Sequence, residues 1–181
     1  LLPKDIAVGS ICEVASDFHS RFAAKSKIYS YVILNSPVRS VFLKDISLFL
    51  PYRLNVGLMQ KESRCLLGRH DFKSFCASGS SVKDTIRTIK RISISKRAYP
   101  LFNISGPLII VEIEADGFLY NMVRNIVGTL IEVGMEKLPA GSLRKILTAK
   151  DRKLAGPTAP AKGLFLTRVA YEEKDRRAQR Y

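Results

Sequence analysis

The chain has 181 residues, 46% of them apolar and 25% charged. That composition suits a folded domain with its own core and excludes a disordered segment. Thirty Lys and Arg oppose 16 Asp and Glu, a formal charge of +14, and such a field favours a polyanion, either nucleic acid or an anionic membrane surface, unless the protein is merely basic. No apolar run approaches the roughly 18 residues that span a bilayer, so no membrane partner is expected. The opening Leu1-Leu2-Pro3-Lys4-Asp5 lacks the parts of a signal peptide and reads as the continuation of an upstream sequence. Cys12, Cys65 and Cys76 are widely spaced, and His19 and His70 are the only histidines. Neither set has zinc-site spacing, so no metal is expected, and a reducing compartment, the cytoplasm, fits best.

In chain order, Ile11 to Ala15 is a short strand candidate, and Lys27 to Leu34, β-branched and aromatic, a stronger one that stops at Asn35-Ser36-Pro37. A second short apolar run covers Ser47 to Leu50. From Asn55, a suitable N-cap, the spacing turns helical: Val56, Met59, Ser63, Leu66 and Leu67 share a face, and Gly68 stops the helix. Thr85 to Ser95 alternates, with Ile92 and Ile94 on one face and Arg91, Ser93 and Ser95 on the other; its phase slips near Ile89 to Arg91, as a bulge would cause. Asn103 to Pro107 reads as a turn, and Leu108 to Ala115 as the most buried strand. A helix follows from Phe118 to about Val133, closed by Gly134, then another from near Ala140 to Lys150, and a last strand from Leu164 to Ala170. The order from Lys27 onward predicts an α+β fold of the ferredoxin-like split βαβ kind: an antiparallel sheet with helices on one face and the other face free.

Three segments carry candidate chemistry. On the helix after Gly117, an apolar sector runs from Phe118 to Leu130, and Asn121, Arg124, Asn125 and Gly128 fall opposite it. Arg124 and Gly128 are one turn apart, so a backbone or a nucleic acid could approach closely beside a guanidinium suited to a carboxylate or phosphate; an ordinary solvent-facing arginine has the same spacing. The stretch from Asp17 to Tyr31 interleaves cations with aromatics, as an RNA surface does, and Tyr29 and Tyr31 share a side of their strand, although strand tyrosines also pack on cores. Gly68-Arg69-His70-Asp71-Phe72-Lys73-Ser74-Phe75 reads as a helix-end turn with anchoring aromatics rather than an acid/base pair, because no nucleophile is suggested nearby. Gly156 to Gly163 lacks the Gly-Lys-Ser/Thr end of a P-loop.

Four motifs resemble, in order, those of the tRNA pseudouridine synthase A family. Phe18-His19-Ser20-Arg21-Phe22-Ala23-Ala24 with Tyr29-Ser30-Tyr31 is similar to FHARFSA…YRY, and Gly68 to Phe75 to GxHDFxxF. Gly117 to Gly128 is similar to the FLxxMVRNIVG helix, and Gly156 to Leu164 to GPTAPAxGL. The resemblance implies half of the pseudouridine synthase fold and an isomerase that turns uridines of the tRNA anticodon stem-loop into pseudouridine without cofactor or metal. It also implies a homodimer whose basic clefts hold tRNA. Tyr29 would lie against the uracil and take the C5 proton, Arg124 would hold a nucleophilic aspartate ionised, and Leu164 would line the pocket's apolar side; His19, Arg21 and Lys25 would contact RNA.

The family's aspartate lies in a GRTDxGVH motif upstream of FHARF, and none of the eight aspartates here sits in such a motif. Leu2-Pro3-Lys4-Asp5-Ile6-Ala7-Val8 resembles the LPxDIxV segment that follows the domain carrying it. The resemblance thus implies that residues 1–171 are a C-terminal, RNA-binding and active-site-completing domain and 172–181 a basic tail. The N-terminal domain would be supplied in cis or trans, and this chain alone would be inactive. The rivals are a non-catalytic RNA-binding module and a structural domain; the RNP1 pattern of one common RNA-binding fold is missing from both central strands.

Overall fold

A computed structural model describes residues 2–77, 79, 82–98 and 106–172. Its elements, in chain order, are β1 (Ser26–Asn35), β2 (Leu48–Leu50), α1 (Val56–Ser63), β3 (Gly68–Asp71), β4 (Ile86–Arg97), β5 (Leu108–Ala115), α2 (Met122–Gly134), α3 (Ser142–Ala149) and β6 (Leu164–Ala170). The β-branched and aromatic run that opens at Lys27 makes β1, which pairs antiparallel with β5 from Lys27 to Leu34. β6 pairs antiparallel with the first half of the other edge of β1, and short β2 runs parallel to its last three residues. Beyond β5 lie β4 and then β3, both antiparallel to their neighbours. β1 and β4 flank β5 and are joined through α1, which is the split βαβ arrangement the pattern predicts. The register slips between Ile89 and Arg91, where the alternation breaks.

Alternation decides which face each strand buries. Tyr31 and Ile33 of β1, Ile109, Val111, Ile113 and Ala115 of β5, and Ile89 and Ile94 of β4 pack in one core with Met122, Val123, Ile126, Val127 and Leu130 of α2. Burying each such side chain contributes roughly 1.5–3 kcal/mol before conformational entropy is subtracted. Asn55 caps α1, its Oδ1 accepting from Leu58 N at 3.0 Å. Buried Glu62 at the far end of α1 accepts from Gly141 N (2.9 Å) and Leu143 N (3.4 Å), tying α1 to the start of α3. The opposite face of the sheet is polar in its middle, where Glu112 and Glu114 take bonds from Ser93 and Ser26. It is not wholly free: Leu34, Leu43 and Leu108 form a second cluster at one end.

Several boundaries differ from the pattern. Ile11 to Ala15 forms no strand: the pairing is limited to a single bridge at Glu13, and Ile11 is 85% exposed. Gly68 opens β3 rather than stopping the helix, which ends in a 3-10 turn at Arg64–Leu66. α2 starts at Met122, four residues after Phe118, because Asn121 is left-handed (φ 56°). α3 covers Ser142–Ala149, slightly less than the stretch from near Ala140 to Lys150. The Asn103 turn residue and the tail from 173 lie outside the described residues. Among those that are described, no helix is long and apolar enough to cross a membrane.

Candidate active site

A cavity of about 260 Å³ opens at the end of the sheet where β1 begins, and Tyr29, residues 118–124 and Leu164 line it. Tyr29 reaches it because β1 alternates: Tyr29 and Tyr31 share the helix-facing side, one half-buried near the strand's start and one fully buried beneath. The Phe118 ring meets Tyr29 edge-on, with centroids 5.0 Å apart and planes at 86°, a favoured geometry worth about 0.5–1.5 kcal/mol. Phe118 to Asn121 link β5 to α2, and the left-handed turn at Asn121 aims the first turn of the helix at the cavity.

Arg124 lies in that first turn. Its Nε donates to Ala159 O at 2.6 Å and its Nη1 to Asn121 Oδ1 at 3.0 Å. No acidic residue occupies the turn, so the guanidinium adds to the positive end of the helix dipole instead of offsetting it. Among the described residues no carboxylate pairs with Arg124. Two adjacent positive sources at a pocket wall suit a carboxylate or phosphate.

The loop from Gly156 to Gly163 holds this arrangement from above. It crosses α2 at Gly128 so closely that a Cβ there would stand 1.7 Å from Pro157 O. Ala159 N donates to Arg124 O at 3.1 Å, so residues 124 and 159 are linked in both directions. Buried Asn125 donates to Phe75 O and accepts from Thr158 Oγ1 and from Arg152 Nη2, while Arg152 Nη1 reaches the carbonyls of Ala155 and Gly156. From below, the Tyr31 hydroxyl donates to Pro160 O at 2.7 Å. Burial pushes the Tyr31 phenol up to about 12, partly offset by the Arg124 charge, so it stays a neutral donor. The polar side of the helix is therefore covered by this loop, and Arg124 is no ordinary surface arginine.

The structure thus brings Tyr29, Arg124 and Leu164 together. His19, Arg21 and Lys25 do not line the cavity. They sit on the segment leading into β1, which Tyr171 anchors through its hydroxyl to Ser20 O (2.9 Å) and its ring against Phe18. His19 packs on Phe22, the Arg21 guanidinium lies 5.7 Å from the Phe22 centroid, and Lys25 pairs with Glu172 at 2.7 Å. His70 and Asp71 are structural. His70 Nε2 bonds Leu67 O, Asp71 bonds Thr85, Lys73 N and Lys150, and Phe72 and Phe75 are fully buried. Burial opposes ionisation of Asp71, but these bonds outweigh it and hold its carboxyl below the usual range. Sequence reasoning set Asn121 and Asn125 on the side of Arg124 without giving them a role, and it missed Arg152.

A family model described as tRNA pseudouridine synthase matches residues 63–172. A tRNA pseudouridine synthase A of Geobacillus kaustophilus is 43% identical over 96% of this chain and 64% of its own length. Its counterpart in Moorella thermoacetica is 46% identical over 94% of this chain and 66% of its own. The chain therefore spans just under two thirds of the length of these two relatives. With four motifs in order, the α+β fold and matches of this extent, the chain belongs to the tRNA pseudouridine synthase family.

Proposed function

We propose that this cavity is one wall of the active site of a tRNA pseudouridine synthase that isomerises uridines of the anticodon stem-loop. The observation that carries the proposal is the convergence of Tyr29, Arg124 and Leu164, from three separate elements, on one cavity. A target base flipped out of its stack enters there, as enzymes acting on bases require. Tyr29 lies against the uracil and takes the C5 proton once the ring has turned and rejoined the ribose. Leu164 supplies the apolar wall. Arg124 holds an aspartate ionised, because a nearby opposite charge favours the charged form.

That aspartate comes from outside these 181 residues. Asp71, Asp84, Asp116 and Asp151 accept bonds from neighbouring backbone amides away from the cavity. The complete enzyme works on tRNA in the cytoplasm as a homodimer, with the chain's +14 charge drawing in the phosphate backbone.

Tritium release from tRNA carrying 5-tritiated uridine tests this. The full-length enzyme turns over, and the 181-residue chain alone does not. Arg124→Ala and Tyr29→Phe in the full-length enzyme lower the rate by about 100-fold or more, the usual scale for a positioned proton-transfer group, with tRNA affinity largely kept. Rates near the wild type for either variant would overturn the site, and turnover by the chain alone would overturn the outside carboxylate.

A further inference from the structure

Tyr120 lines the cavity yet is 61% exposed, so it stands at the mouth and not at the floor. The two residues before it point inward: Phe118 packs on Tyr29, and Leu119 is only 5% exposed. The backbone around it is pinned. Ala77 N donates to Tyr120 O at 3.1 Å, Met122 N to Leu119 O at 3.0 Å, and Asn125 N to Asn121 O at 2.9 Å. The exposure of the ring is therefore imposed by a fixed loop. Among the described residues no aromatic ring or cation packs on this ring, and its hydroxyl makes no hydrogen bond. A large ring held rigidly in solvent beside a pocket carries binding area whose rotamer freedom costs little to fix.

We propose that Tyr120 is a stacking platform for the nucleobase next to the target uridine in the RNA. This rests on the reading of the site as a uridine-isomerising pocket. Flipping one base into the cavity leaves its neighbour without a stacking partner at the mouth. An aromatic face there restores the lost contact, and it does so for any base, because every base has a π-face. Inside the cavity Tyr29 and Leu164 take the target base; outside it Tyr120 takes the adjacent one. Tyr120 is thus a positioning residue, set by the ring and not by its hydroxyl.

The test uses the full-length enzyme and an anticodon stem-loop RNA, with KM and kcat from tritium release and RNA affinity from fluorescence anisotropy. Tyr120→Ala raises KM and the RNA dissociation constant by roughly 10- to 100-fold, the range of one base–aromatic stack, while kcat changes little. Tyr120→Phe restores both constants. An RNA with an abasic nucleotide on one side of the target uridine binds the wild type as weakly as the intact RNA binds Tyr120→Ala, and it loses nothing more in that variant. Unchanged constants in Tyr120→Ala, a loss in Tyr120→Phe equal to that in Tyr120→Ala, or additive losses with the abasic RNA on both sides would each overturn the platform. Anisotropy decides these points even without turnover. A full-length wild type that releases no tritium sinks the functional reading itself, whereas normal turnover with a silent Tyr120→Ala sinks only the platform.

Discussion

Replacing Gly128 by alanine tests the geometry on which the pocket depends. The new Cβ would lie 1.7 Å from Pro157 O and 2.9 Å from Pro157 C, whereas ordinary contact begins at 3.4 Å. Both obstructing atoms are backbone, so no side chain can rotate away. Relief requires the loop to retreat, and the loop is bonded to α2 on either side of the clash, through Gly156–Thr129 on one side and through Thr158–Asn125 and the two bonds between residues 124 and 159 on the other. Overpacking of a close-packed site costs about 1–3 kcal/mol. Breaking a neutral and a charged hydrogen bond adds about 1 and 2 kcal/mol. The better helix propensity of alanine returns about 1 kcal/mol. The net loss is about 3–5 kcal/mol, which lowers Tm by roughly 6–20 °C in a domain of this size. Gly57→Ala is the internal control: its Cβ meets nothing closer than Asn55 Oδ1 at 3.6 Å, so it raises stability by up to about 1 kcal/mol. Thermal unfolding followed by circular dichroism reads both. If Gly128→Ala melted at or above the parent temperature, as Gly57→Ala should, the loop could not lie on the helix as described.

Two further outcomes follow from the same frame. Asn125→Ala removes the side-chain donor to Phe75 O, the acceptor of the Thr158 hydroxyl and one of the two acceptors of Arg152 Nη2, which keeps its bond to Thr158 Oγ1, at a cost of about 2–4 kcal/mol. A urea midpoint within error of the parent would contradict that network. Tyr31→Phe removes the donor to Pro160 O and costs about 1 kcal/mol near neutral pH. The folded phenol titrates at about 12 against 10.0 for the free group, so the unfolded chain ionises first. The contribution of Tyr31 is intact below pH 10 and is lost as pH rises toward 12. The gap between parent and Tyr31→Phe in urea midpoints therefore narrows above pH 10, and a constant gap up to pH 11.5 would refute the burial of that hydroxyl.

Local periodicity was enough for much of the architecture. A period of two over Lys27 to Leu34 put Tyr29 and Tyr31 on one side, and the broken alternation near Ile89 marked the bulge that exists between Ile89 and Arg91. The same arithmetic set Arg124 and Gly128 one turn apart. It failed where local pattern and long-range pairing compete. Ile11 to Ala15 has strand composition but pairs only through one bridge at Glu13, and Gly68 to Asp71 looked like a helix end but found an edge on β4.

What the amino-acid order determined alone was the set of elements, their sequence, and the motifs that mark the family. Only the tertiary structure decided that the polar side of α2 is roofed by residues 156–163, because that contact joins segments about 30 residues apart and leaves no trace in the spacing of either. An arginine on an amphipathic helix looks the same whether it faces water or a carbonyl. Packing Pro157 against Gly128 is what turns Arg124 inward, beside Tyr29 and Leu164.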